Sequence, residues 1–340
     1  MPQIETEYTR PWWLPNGHLQ SIWAYWLPRR KIAYRRERVE LPDGDFVDFD
    51  WAEPSNTVRG EVVVPQLDNK PILCLFHGLE GNSNSHYALN TMHAANTRGW
   101  TGVVAHFRGC SGEPNRLARS YHSGDSEHVD HCLRFIKTRF PNRALFAAGI
   151  SLGGNALSVW CGEEGDGAKD IVVAAASASS PLDLGISAEA ILHGRNWLFN
   201  KYFMTSMGES YAKRMELHPE LRENAFLTKP KNFPQFDEYY TAPMHGYTSA
   251  WDYYYRASSR GFIAKISVPF LLLNAKNDPF VPASLFPLAH EVPGNITLEQ
   301  PTDGGHVGFV SGRFPGHMDW LSERFCEYFE TVLDVAADGC

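Results

Sequence analysis

Four short apolar runs most constrain what this chain can become: PILCLFHG (71–78), TGVVAHFRG (101–109), ALFAAGIS (144–151) and KDIVVAAASAS (169–179). Each is continuously apolar rather than alternating, the pattern of a strand buried on both faces. Stretches that read as helices near 86–98, 125–139 and 152–163 separate them. Strand–helix alternation of this kind implies a mainly parallel central sheet with helices on both faces. The rhythm resumes later with ISVPFLLLNAKNDP (266–279), a helix near 283–290, NITLEQP (295–301) and a closing helix near 317–334. Ahead of it, RVELPDGDFVDFDWAE (38–53) alternates around Asp43-Gly44 and reads as a β-hairpin, with GEVVVPQ (60–66) a further edge strand.

One long segment interrupts the alternation. Between Asp183 and Lys265 a single crossover helix would suffice, and a structureless loop of that length is improbable. The expected organisation is an N-terminal arm (1–37), a core built from 38–182 and 266–340, and a helical cap inserted over 183–265. The aromatic-rich stretch NFPQFDEYYTAPMHGYTSAWDYYYRAS (232–258) is suited both to cementing the cap to the core and to lining a pocket beneath it.

Composition excludes several function classes. A formal net charge of −8 over 340 residues disfavours nucleic acid as a partner, because phosphate binding relies on clustered Lys and Arg. The basic cluster PRRKIAYRRER (28–38) reads as a solvated edge. Six cysteines lie scattered without a C-x-x-C pair, which favours a reducing, cytoplasmic compartment, and no signal peptide or apolar run of spanning length is seen. No H-E-x-x-H or similar ligand spacing is present, so neither metal nor cofactor is expected. The arm segment RPWWLPNGHLQSIWAYWLPRRK (10–31) sets four tryptophans before basic residues. Pro15, Asn16 and Gly17 break any long amphipathic helix, so an arm packed on the core is the expected reading; weak contact with a membrane surface is the alternative.

The candidate chemistry centres on Gly149-Ile150-Ser151-Leu152-Gly153, a G-x-S-x-G at a strand-to-helix junction. In that context the glycines allow a turn too tight for a Cβ, and Ser151 projects as a nucleophile. A serine needs a base. His306, in the glycine-rich PTDGGHVGF after the last strand, is placed at the same sheet edge, unlike His193, His218, His245, His290 or His317. Asp278, after the strand before it, is the expected acid, ahead of the rivals Asp183 and Asp303. Backbone N–H groups of Leu79 and Leu152 would form the oxyanion hole. His77 reads as loop packing, and Arg108 is expected to brace the site by hydrogen bonds.

The motifs HGLEGNSNSHY, FRGCSG, GISLGGNAL, NAKNDPF and GGHVGF, with WWLPNGHLQSIW in the arm, resemble the α/β-hydrolase superfamily and, within it, the YheT-like branch that includes the eukaryotic ABHD proteins. That resemblance covers nearly the whole chain. It implies a carboxylic ester hydrolase, in some members with acyltransferase ability, that uses Ser151, Asp278 and His306 on a small-molecule acyl ester. Acyl transfer to an alcohol with the same triad, and a non-catalytic binding protein on a hydrolase fold, stand as alternatives.

Overall fold

Two-sided burial of the apolar runs builds the molecule. The computed structural model describes residues 3–54, 56–58, 61–63 and 69–338. The chain begins with β1 (Gln3–Ile4) and α1 (Gly17–Trp23), followed by the strands β2 (Arg35–Glu40) and β3 (Phe46–Ala52) and a short pair, β4 (Asn56–Val58) and β5 (Glu61–Val63). The alternating region runs β6 (Ile72–Phe76), α2 (His86–Thr97), β7 (Thr101–Ala105), α3 (Ser126–Arg139), β8 (Leu145–Ile150), α4 (Leu152–Glu164) and β9 (Ala174–Ala178). Five helices follow: α5 (Leu184–Ala190), α6 (Trp197–Leu217), the short α7 (Phe233–Phe236) and α8 (Ala242–Met244), and α9 (Ala250–Ala257). β10 (Phe270–Leu273), β11 (Ile296–Glu299) and α10 (Asp319–Asp338) close the chain.

The main sheet has the order β1-β11-β10-β9-β8-β6-β7-β3-β2. It is parallel from β1 to β7, and only β3 and β2 run antiparallel to their neighbours. Strand alternation divides each buried run between two cores. Ile72, Cys74 and Phe76 join α3 and α4 through Val129, Leu133, Leu157 and Trp160. Leu73 and Leu75 face the other way, onto α2 and α10 through Met92, Ala95, Phe325 and Phe329. There Phe146 stacks on Phe329 with ring centroids 4.6 Å apart. Each such aromatic, fully buried, stabilises the fold by about 1.5–3 kcal/mol before entropy is counted.

Several expectations need correction. GEVVVPQ does not edge the main sheet: Glu61–Val63 pairs antiparallel with Asn56–Val58 in a separate two-stranded sheet, and residues 60 and 64–66 lie outside those described. The helix near 283–290 is a single turn, Ala283–Leu285, since Pro287 cannot donate into a continuing helix. The fourth run becomes a strand only at Ala174, because Gly165–Asp170 first winds as a 3-10 turn. The basic cluster carries the edge strand β2, where Arg36 and Arg38 make two-pronged ion pairs with Asp50 and Asp48 at 2.8 Å.

The helical stretch between β9 and β10 packs through its aromatics. Tyr211 of α6 is fully buried, lies 5.1 Å from Tyr240 by ring centroids, and donates to Leu221 O at 2.7 Å. Asn155, four residues past the elbow serine, ties this stretch to the sheet. Its amide donates to Ser123 O at 2.8 Å and Ala257 O at 2.7 Å, and its oxygen accepts from Ser259 N at 2.9 Å.

Candidate active site

Ser151 stands between β8 and α4 with φ 52° and ψ −119°, a backbone conformation that L-residues rarely adopt. Its neighbours explain how the strain is tolerated. A Cβ on Gly153 would lie 2.4 Å from Phe76 O and 2.5 Å from His77 O; one on Gly149 would lie 2.5 Å from Gly153 O. Only glycine at both positions lets α4 start against the end of β6. The Ser151 amide donates to Ala178 O at 2.9 Å, which locks the turn to β9.

The His306 ring reaches this serine from across the sheet: Nε2 is 2.9 Å from Ser151 Oγ. Its other nitrogen, Nδ1, is 2.9 Å from Asp278 Oδ2. A carboxylate only accepts, so Nδ1 carries the hydrogen and Nε2 presents its lone pair to the hydroxyl. The second oxygen of Asp278 accepts from the amides of Phe280 at 2.8 Å and Val281 at 3.2 Å, so the carboxylate is anchored before it meets the ring. Its side chain is wholly buried, while the imidazole keeps 11% exposure on the cavity side. The Phe280 ring packs 4.5 Å from the His306 ring and shields the pair.

The predicted rivals have other occupations. Asp183 Oδ1 caps α5 by accepting from Ile186 N at 3.0 Å, and Asp303 pairs with Arg10 at 3.2 Å. His245 lies against His122, ring centroids 4.4 Å apart, and burial holds both imidazoles down near pKa 3. His317 sits 3.4 Å from Asp319 and His218 3.5 Å from Glu220. His290 is exposed and His193 precedes the turn into α6. His77 is loop packing: its Nδ1–H donates to Gly78 O at 2.8 Å and its Nε2 accepts from Phe107 N at 3.1 Å, and burial lowers its pKa to about 3. Arg108 does not reach the serine. Its guanidinium donates instead to Asp45 at 2.7 Å and Asp43 at 2.8 Å, the two carboxylates that flank the hairpin turn.

Leu79 and Leu152 line the same cavity as Ser151 and His306. Among the described residues neither amide has a protein acceptor, whereas those flanking Leu79 do: Gly78 N donates to Tyr87 OH at 2.9 Å and Glu80 N to Tyr121 OH at 2.7 Å. The two tyrosines thus hold the loop from both sides, with Glu80 at φ 53°. A Cβ on Gly78 would lie 3.3 Å from Ser151 Cβ, so that loop abuts the serine directly. The Leu152 amide opens α4, where the helix dipole favours negative charge. Sequence reading assigned neither tyrosine a role: Tyr87 closes the motif HGLEGNSNSHY inside α2, and Tyr121 lies in an irregular loop with no motif to mark it.

A cavity of about 150 Å³ runs inward from Ser151 beneath α5 and α6, walled by Ile191, Phe203, Met207, Phe233, Phe280 and Val281. A second opening of about 180 Å³ lies on the outer side, bounded by Tyr25, Arg29, Tyr87 and Tyr202. The two share Ser151, His306 and Leu79. A larger cleft of about 1210 Å³ lies between the 119–127 and 244–262 stretches, and its walls contain none of Ser151, Asp278 or His306. Asp237, on the inner cavity wall, accepts from Tyr254 OH at 2.7 Å, and burial raises its pKa to about 6.

The profile of the alpha/beta hydrolase fold family matches residues 71–312. The chain is 37% identical over 325 residues to the putative esterase YheT of Escherichia coli, covering 94% of this chain and 92% of that protein. It is 28% identical to the phospholipase ABHD3 of Mus musculus, covering 97% and 79%. Among solved structures, an esterase from Pyrococcus furiosus superposes with a TM-score of 0.56 at 12% identity, over 89% of this chain and 96% of that one; the likeness is of fold. The strand order, the elbow at Ser151 and these matches agree: this chain belongs to the alpha/beta hydrolase fold family, in its YheT- and ABHD-type branch.

Proposed function

We propose that this protein is a serine-dependent carboxylic ester hydrolase. The observation that carries the reading is the relay Ser151 Oγ–His306 Nε2 and His306 Nδ1–Asp278 Oδ2, each link 2.9 Å, at the mouth of an apolar cavity. Ser151 attacks the ester carbonyl as His306 takes its proton. Asp278 keeps the imidazole in the required tautomer and stabilises the imidazolium without becoming protonated. The Leu79 and Leu152 amides hold the oxyanion, and His306 then protonates the departing alcohol. Water enters by the same base catalysis and releases the acid.

In this reading residues 183–265 cap the core formed by 38–182 and 266–340, with 1–37 an arm. The inner cavity takes the acyl group and the outer opening the alcohol. A void of about 150 Å³ holds a benzene-sized group, which supports esters of short acyl chains as substrates. Relatives named as an esterase and as a phospholipase support ester chemistry and leave the leaving group open. The same apolar enclosure would favour acyl transfer to an alcohol wherever water is excluded. Trp12 and Trp26 of the arm, 86% and 71% exposed, support weak contact with a membrane surface.

The test is hydrolysis of p-nitrophenyl esters from acetate to laurate by wild type and Ser151→Ala. Wild type should prefer short chains, and the variant should lose several powers of ten in kcat with its fold intact. Retention of the wild-type rate by Ser151→Ala would refute the reading. Added ethanol, with ethyl ester measured against free acid, separates transfer from hydrolysis. Failure of a fluorophosphonate to label Ser151 would favour a binding protein.

A further inference from the structure

The loop that carries His306 is held by an N-terminal helix that belongs to no catalytic motif. Four successive amides of this loop donate to side chains from elsewhere. Gly304 N reaches Gln20 Oε1 at 2.8 Å, Gly305 N reaches Asn277 Oδ1 at 2.9 Å, and His306 N reaches Ser21 Oγ at 2.8 Å. Val307 N completes the row on Ser179 Oγ at 3.0 Å. The acceptors are themselves oriented. Gln20 Nε2 donates to Leu14 O at 2.9 Å, Ser21 Oγ donates to Gly17 O at 2.7 Å, and Asn277 Nδ2 donates to Asp303 Oδ1 at 2.9 Å. Gln20 and Ser21 are 0% and 2% exposed, on a seven-residue helix of the N-terminal arm that the sequence led us to expect packed on the core.

The loop needs such a clamp. Val307 and Phe309 have φ of 56° and 24°, and Gly305 of 61°. A β-branched residue at positive φ persists only where its surroundings over-determine it. Backbone contact is equally close: a Cβ on Gly305 would lie 2.6 Å from Gly17 O and 2.7 Å from Ser21 Oγ, and one on Gly17 would lie 2.0 Å from Asn277 O. Helix α1, the Asp278 loop and the His306 loop are therefore interlocked.

We propose that Gln20, Ser21 and Asn277 are positioning residues for the His306 base, and that α1 belongs to the catalytic apparatus. They touch no substrate; they fix the backbone from which the imidazole hangs, between Ser151 and Asp278. Misplacing a reacting group by about 1 Å costs on the order of 100-fold in rate. The proposal rests on the ester-hydrolase reading above.

The experiment uses the full chain bearing Ser21→Ala, Gln20→Ala or Ser21→Thr, with active sites counted by fluorophosphonate titration. On a soluble p-nitrophenyl ester, Ser21→Ala and Gln20→Ala should each lose about 10- to 100-fold in kcat per titrated site, with KM within about twofold. The acid limb of the kcat/KM pH profile should move, because a loosened imidazole meets Asp278 differently. Ser21→Thr keeps a hydroxyl able to bond the carbonyl four residues back and should return to within about threefold of wild type. A wild-type kcat per site and an unmoved pH profile in the alanine variants would overturn the proposal, whatever happens to their melting temperature. If Ser21→Ala does not fold, Gln20→Ala is judged by the same per-site criterion. Activity that survives Ser151→Ala would instead remove the underlying hydrolase reading.

Discussion

Replacement of Asp278 by asparagine tests the relay most sharply, because the surroundings dictate which way the amide must point. One oxygen of Asp278 accepts from two backbone amides, Phe280 N at 2.8 Å and Val281 N at 3.2 Å. The other faces His306 Nδ1 at 2.9 Å. In Asp278→Asn the remaining oxygen should stay on the two amides. Turning the NH2 toward them would orphan two buried donors at about 1–3 kcal/mol each. The NH2 must then face the ring, where it donates to Nδ1 and forces the hydrogen onto Nε2. A protonated Nε2 points its hydrogen at Ser151 Oγ and cannot take the serine's proton. The expected loss is about 10⁴-fold in kcat, the size seen for this tautomer inversion in a serine protease, equivalent to about 5.4 kcal/mol of transition-state stabilisation. Steady-state hydrolysis of p-nitrophenyl butyrate near pH 7.5 measures it, and the melting temperature should move little because the anchoring bonds survive. A variant within tenfold of wild type would show that Asp278 does not orient the base, and Asp303 or Asp183 would return as candidates.

Two other perturbations follow from the same geometry. Gly153→Ala places a methyl 2.4 Å from Phe76 O and 2.5 Å from His77 O, both backbone atoms that cannot rotate away. It should lower stability by about 1–3 kcal/mol or more in denaturant unfolding and abolish labelling of Ser151; a stable, fully labelled variant would contradict the elbow account. Asp237→Asn concerns pH. Its carboxyl titrates near 6 in the fold against an ordinary 3.8, so the native state holds an extra proton between those values and loses stability as pH rises through them. At about 1.36 kcal/mol per unit, the gap amounts to about 3 kcal/mol. The variant, whose amide oxygen can still accept from Tyr254 OH, should exceed wild type in stability by up to that amount near pH 8 and match it near pH 4. Equal stability at both pH values would mean that Asp237 is not desolvated as the cavity implies.

Local chemistry made much of the fold readable. A run such as PILCLF has no polar face to offer solvent, so it had to become an interior strand, and the glycines around Ser151 admit few backbone paths other than a tight turn. Chain order on such a sheet also pointed to His306 and Asp278, since the loops after parallel strands gather at one edge. Where local signals were weak the reading failed. Pro287 cut short the helix expected near 283–290, and the two aspartates of the hairpin turn drew Arg108 away from the serine.

Residues 1–340 therefore contain, as pattern alone, the layered α/β architecture and the three side chains suited to the chemistry. Only the folded arrangement decided their partners, because those pairings span the chain: Ser151 meets a ring 155 positions later, and Ser21 grips an amide 285 positions away. Periodicity reports which face of an element is apolar within a few turns. It carries no record of which distant loops the closed sheet will bring to one edge, so the bonds of Tyr87 and Tyr121 to the Leu79 loop and the helix behind His306 emerge from tertiary packing alone.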